Sequence, residues 1–130
     1  MERELINQDW PNSLRWFLVQ NLQSFTPWHF LEKEEEFRSA SKAFANEDVK
    51  GRDVFVFASR QDCDDFAGLE VIDGIVGENV IYFHPTFNSS SDKKWDIVCE
   101  EYEDVFEFVA KTVLPDMKEW ASCDDADDID

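Results

Sequence analysis

Apolar residues recur at two periods along this chain, and the periods divide it into helical and extended stretches. Trp10, Leu14, Phe17, Leu18 and Leu22 fall mostly three or four apart, the spacing that lines one side of an α-helix. Trp16 and Val19 widen that face. Pro11 suits an opening turn, where its missing N–H costs little, and Asn7 or Asp9 is the expected cap. The helix should fade near Gln23–Ser24, ahead of Pro27. The aromatic segment from Phe25 to Leu31 reads as a loop or a short edge strand that lids the core. Glu32 to Asn46 predicts a second helix, with Phe37, Ala40, Ser41 and Phe44 on a modest apolar face. Glu32, Glu34, Glu35 and Glu36 suit its positive N-terminal end and read as a solvated helix start.

The period then shortens to two. Val54–Ala58 alternates Phe55 and Phe57 with Val54 and Val56, so both faces are apolar and the strand belongs near a sheet centre. Phe66–Ile72 is a second strand, followed by a turn marked by Asp73, Gly74 and Gly77, with Ile75 and Val76 inside it. Asn79–His84 is a third strand, stopped by Pro85. Short links between three consecutive strands predict an antiparallel meander. Thr86 to Lys94 is a polar loop and the expected mobile segment. Trp95–Val98 offers a short fourth strand. Glu100–Ala121 is the expected long helix, with a stripe of Tyr102, Val105, Phe106, Val109, Val113, Met117 and Trp120, kinked by Pro115. The pattern therefore predicts an α+β fold: a central antiparallel sheet of about four or more strands, flanking N-terminal helices and a long C-terminal helix. Residues 1–121 form the expected single domain. Residues 122–130 carry Asp124, Asp125, Asp127, Asp128 and Asp130, a composition that predicts an acidic disordered tail.

Charge narrows the set of partners. Thirty acids against twelve bases give −18 over 130 residues, and removing the five tail aspartates leaves most of it in place. Such a surface repels nucleic-acid phosphates and anionic lipid, and it favours basic protein partners with fast, salt-sensitive association. Acidic surfaces also serve solubility alone. No apolar run has the length of a membrane-spanning helix, and MERELINQDW does not read as a signal peptide. Cys63, Cys99 and Cys123 are odd in number and widely spaced, without a disulfide framework. A cytoplasmic location is expected.

Candidate chemistry concentrates in Ser59 to Asp65, between two core strands. A Cys63 nucleophile with His84 or His29 satisfies the residue types, yet Asp62 and Asp64 on either side oppose thiolate formation. A calcium loop counted from Asp62 needs an oxygen ligand at the fifth place, Gly at the sixth and Glu at the twelfth. Those places hold Phe66, Ala67 and Asp73. Two histidines and three scattered cysteines give no zinc spacing, and no Gly-rich phosphate loop is present. No catalytic, cofactor-binding or metal-ligating residue is assigned, and no cofactor is expected.

The segment FASRQDCDDFAGLEV, Phe57–Val71, resembles the characteristic segment of the SUKH superfamily, the Smi/Knr-type domain. The likeness rests on Phe57 and Ala58 ending a strand, then Arg60, Gln61, Asp62, Asp64 and Asp65, then a second strand. It continues through Val80–His84, Trp95 and a C-terminal helix with Phe106, Phe108 and Trp120. The resemblance implies an α+β fold with a central antiparallel sheet. It also implies a non-enzymatic immunity protein that neutralises a cognate polymorphic toxin by direct binding, the partner being a basic toxin domain. A regulatory scaffold or adaptor binding a cellular protein is the alternative, and a Cys63-dependent enzyme a more distant one. Arg60, Gln61, Asp62, Asp64 and Asp65 are candidates for partner contact as well as for fixing their own turn. Trp28 and Trp95 are candidate partner anchors, although aromatic residues are more often core.

Overall fold

Val54 and Val56 point to one side of their strand and Phe55 and Phe57 to the other, and each pair meets a separate core. A computed structural model of the chain, which describes residues 1–88 and 95–129, shows why. The strand lies inside a six-stranded antiparallel sheet of order β1-β2-β3-β4-β5-β6. The strands are β1 (Ser24–Phe25), β2 (Trp28–Phe30), β3 (Asp53–Arg60), β4 (Phe66–Ile72), β5 (Ile75–Phe83) and β6 (Val98–Tyr102). Every strand pairs with its sequence neighbour, so the sheet is a meander built from local connections.

Helices cover both faces. On one, α1 (Asn12–Val19) and the C-terminal helix pack over Phe57, Ala67, Leu69 and Val80. On the other, Ala40 and Phe44 of α2 (Arg38–Glu47) meet Val54, Val56, Ile81 and Phe83. Alternation along β5 sends Val80 to the first core and Ile81 to the second. A register shift between Val56 and Ala58 breaks that alternation in β3 and adds Ala58 to the first core beside Phe57, as a bulge does.

Several boundaries differ from the sequence expectation. Helix α1 starts after Pro11, with no side-chain cap, and Asn7 Oδ1 accepts instead from the Asp9 amide at 2.8 Å. It ends at Val19, so Leu22 lies beyond the buried stripe and is exposed. The second helix opens as a 3-10 turn, Glu34–Phe37, before becoming α-helical at Arg38. Ile75 and Val76 belong to β5, because Asp73 and Gly74 alone make the turn, at φ 52° and 77°. An Asp-Gly pair with both φ positive is the two-residue hairpin turn whose twist matches its strands. The Phe25–Leu31 region is a hairpin, β1–β2, whose central tryptophan is fully buried.

The largest shift is at the C-terminal helix. Residues 100–102 belong to β6, and the helix begins only at Val105. Asp104 caps it, accepting from the Glu107 amide at 2.9 Å, while Glu107 Oε1 accepts from the Glu103 amide at 3.3 Å. The helical stretch runs as α3 (Val105–Phe108), a π-helical turn Val109–Val113, and α4 (Leu114–Ala121). Leu114 N–H donates to Val109 O, five residues back. The wider turn accommodates Pro115, which has no N–H and whose ring crowds the carbonyl four residues before it. Phe108 and Thr112 are buried in this stretch, while Phe106 is half exposed, tilted against Phe17 with ring centroids 5.2 Å apart.

The tail expected to be disordered has a described path as far as Ile129. Cys123 and Asp124 amides donate to Trp120 O, and Ala126–Asp128 forms a 3-10 turn. Residues 89–94 of the expected mobile loop and Asp130 of the tail lie outside the described residues. No helix among the described residues is long and apolar enough to cross a membrane.

Candidate functional site

The Arg60–Asp65 connector closes the β3–β4 hairpin. Its ends pair through Arg60 N–H to Asp65 O at 2.9 Å, and Gln61 N–H reaches Pro27 O of the β1–β2 turn at 2.9 Å. Three neighbouring elements are then tied to it by side chains. Arg60 Nε donates to Asp62 Oδ1 at 2.7 Å and Nη1 to Asp116 Oδ2 of α4 at 3.1 Å. The same Asp116 oxygen accepts from Trp28 Nε1 at 2.9 Å. Asp65 faces the end of β5, taking the Tyr82 hydroxyl on Oδ2 and lying against His84 Nδ1 through Oδ1, both at 2.5 Å. His29 of β2 meets Gln61 Oε1 at 2.5 Å.

These contacts explain the local electrostatics. Partial burial opposes the Arg60 charge, but Asp62 and Asp116 more than offset it and hold the guanidinium pKa above its ordinary value. Burial first, and then the Asp65 carboxylate, push the Tyr82 hydroxyl well above the usual tyrosine range. Desolvation, followed by the charges of Asp65 and Asp62, raises the Cys63 thiol to about 11.

That value makes Cys63 a poor nucleophile despite its exposure. At pH 7 it holds roughly a hundredfold less thiolate than an ordinary cysteine. Iodoacetamide at neutral pH should therefore leave Cys63 largely unmodified over the time in which a free-cysteine peptide reacts, as read by mass spectrometry. Labelling at the peptide's rate would show that the carboxylates do not control the sulfur. Among the described residues, no group of three or more His, Cys, Asp or Glu side chains is placed to hold a metal ion.

The residues singled out in the sequence have separate fates. Arg60, Gln61, Asp62 and Asp65 are brought together in one hub, with the exposed Asp64 beside it. Trp28 has no exposed surface and is not a partner anchor. Its ring stands edge-on to Tyr82 and Phe108, with centroids 5.3 and 5.2 Å away. Tyr82 of β5 and Phe108 and Asp116 of the C-terminal helix enclose the ring, and alternation alone does not reveal that meeting. Trp95 is 60% exposed and keeps its place as a candidate anchor, with Phe87 at 47% on the same long connection.

Sequence reasoning missed a groove of about 570 Å³ beside the hub. Thr26, His29 and Gln61 form one side, and Met117, Trp120 and the folded-back tail form the other. No family model, curated protein or solved structure matches this chain. The geometry of the groove and the charge around it are thus the guides to function. A second groove, of about 670 Å³, lies along α1 between Trp16, Arg3 and Arg15 and has the opposite charge character.

Sequence reasoning also missed two acids buried at the end of α2, Glu47 and Asp48. Glu47 accepts from the Thr86 and Phe87 amides at 2.8 and 3.0 Å, which fixes the start of the long connection. Asp48 accepts from the Arg52 amide and Nε, both at 2.9 Å. Both acids serve the fold and stand apart from the groove's walls.

Proposed function

We propose that this protein binds a basic protein partner and blocks it, as a SUKH-like immunity protein acting on a cognate toxin in the cytoplasm. The observation that carries the reading is the charge of −18 and pI near 4.2. Opposite charge on a partner accelerates encounter and fixes orientation, and it disfavours partners of like charge. The sequence likeness at Phe57–Val71 supplies the class of partner. Its Arg60–Asp65 string ties a strand junction to three other elements, so its first role is positional. Contact with the partner falls to the surfaces around it. Exposed Trp95 supplies the kind of aromatic anchor that dominates such interfaces.

Co-expression with a toxin encoded beside the gene tests this reading. The expected result is rescued growth and a complex whose association rate falls about tenfold or more between low and 0.5 M salt. Continued killing, with no complex even at low salt, would sink it.

A further inference from the structure

The groove beside the hub combines an aromatic residue with unneutralised charge. Trp120 and Met117 line it together with Asp124, Asp125 and Asp128. Among the described residues, no lysine or arginine stands in its walls. The histidine there, His29, is engaged with Gln61. Five aspartates in a free tail would spread apart to lower their mutual repulsion. Here the tail is turned back instead, through the Cys123 and Asp124 bonds to Trp120 O and the Asp125 side chain accepting from the Asp127 amide at 2.9 Å. Three of its aspartates therefore line the same opening as Trp120.

We infer that this groove receives an arginine side chain projecting from an extended segment of the partner protein. A guanidinium is planar and always charged; it stacks on indole faces and accepts carboxylates along its edges. An arginine satisfies both features of the groove, whereas an aliphatic side chain would leave the carboxylates unneutralised. The volume of about 570 Å³ holds such a side chain with part of its flanking backbone. The inference rests on the partner-binding reading above and assigns a place and a chemistry to it.

The test is an NMR titration of the full ¹⁵N-labelled chain with acetyl-Gly-Arg-Gly-amide and with the same peptide carrying neutral citrulline. Saturable shifts are expected at the Trp120 indole N–H and the Asp125 and Asp128 amides. The citrulline peptide should bind at least about tenfold more weakly. The double variant Asp125→Asn/Asp128→Asn should weaken the arginine peptide at least about threefold, with the rest of its spectrum unchanged. Trp16, exposed beside Arg3 and Arg15, should not respond. Equal binding of the citrulline peptide, or shifts spread across the acidic surface or centred on Trp16, would overturn the assignment. The toxin complex separates the two readings. A double variant that binds the toxin with full affinity removes the groove from the interface and leaves the function standing. A groove that takes the arginine peptide in a protein that binds no toxin does the reverse.

Discussion

Trp28→Ala should lower stability by about 3–5 kcal/mol, the range for emptying a fully buried aromatic site. The ring has no exposed surface and packs edge-on against Tyr82 and Phe108. Its indole N–H also donates to Asp116, which holds Arg60. Truncation therefore opens a cavity and removes one donor from a partly buried carboxylate. For a domain with a total of about 5–15 kcal/mol, that is a large share. Trp28→Phe separates the two effects. It keeps much of the ring packing and loses the N–H, so about 1–2 kcal/mol is expected, because Asp116 still has Arg60. Urea unfolding followed by circular dichroism reads both. A cost below about 1 kcal/mol for the alanine variant would mean that Trp28 is not enclosed between β5 and the C-terminal helix as described.

The second large effect is at Asp48, whose side chain is fully buried and takes three hydrogen bonds from Arg52. Burial by itself raises a carboxyl pKa, but the bonds and charge of Arg52 more than offset it, and the Asp48 pKa lies below its ordinary value. The same pair raises the Arg52 pKa. Asp48→Ala leaves the guanidinium with the half-exposed Glu101 carboxylate at 3.1 Å and the Phe44 ring, and should cost about 3 kcal/mol at pH 7. The pH dependence has a definite sign. A folded-state pKa below the unfolded value contributes stability that is fully present above the unfolded value, near 3.9, and is lost as pH falls through the folded one. The gap between the wild type and Asp48→Ala should therefore narrow below about pH 4. A constant gap from pH 7 to pH 3, or a variant as stable as the wild type at pH 7, would contradict the coupling.

How much was legible depended on whether a signal was local. The three central strands could be read from alternation, since each residue's face follows from its own position. Val54 and Val56 against Phe55 and Phe57 assign both cores correctly. The start of the C-terminal helix was also legible in principle. Asp104 and Glu107 have the cap spacing that marks a helix start, Asp104 accepting from the Glu107 amide and Glu107 from the Glu103 amide, yet the apolar stripe from Tyr102 drew the expected helix back across β6. Stripe arithmetic likewise placed Phe106, Met117 and Trp120 in the core, whereas Phe106 is half exposed and the other two, past the π turn ahead of Pro115, are only partly buried.

The chain by itself determined the α+β class, the meander of the three central strands and the excess of negative charge. Each depends on periodicity, short links or composition, which are properties of neighbouring residues. Tertiary structure alone decided which tryptophan is buried and which exposed, that Asp116 of a distant helix shares one oxygen between Arg60 and Trp28, and that the tail turns back to make an acidic groove with Trp120. Those outcomes depend on which surfaces meet once the helices pack on the sheet. Residues that are 56 and 88 positions apart, as Arg60 and Trp28 are from Asp116, carry no mark of that meeting in the order of the chain.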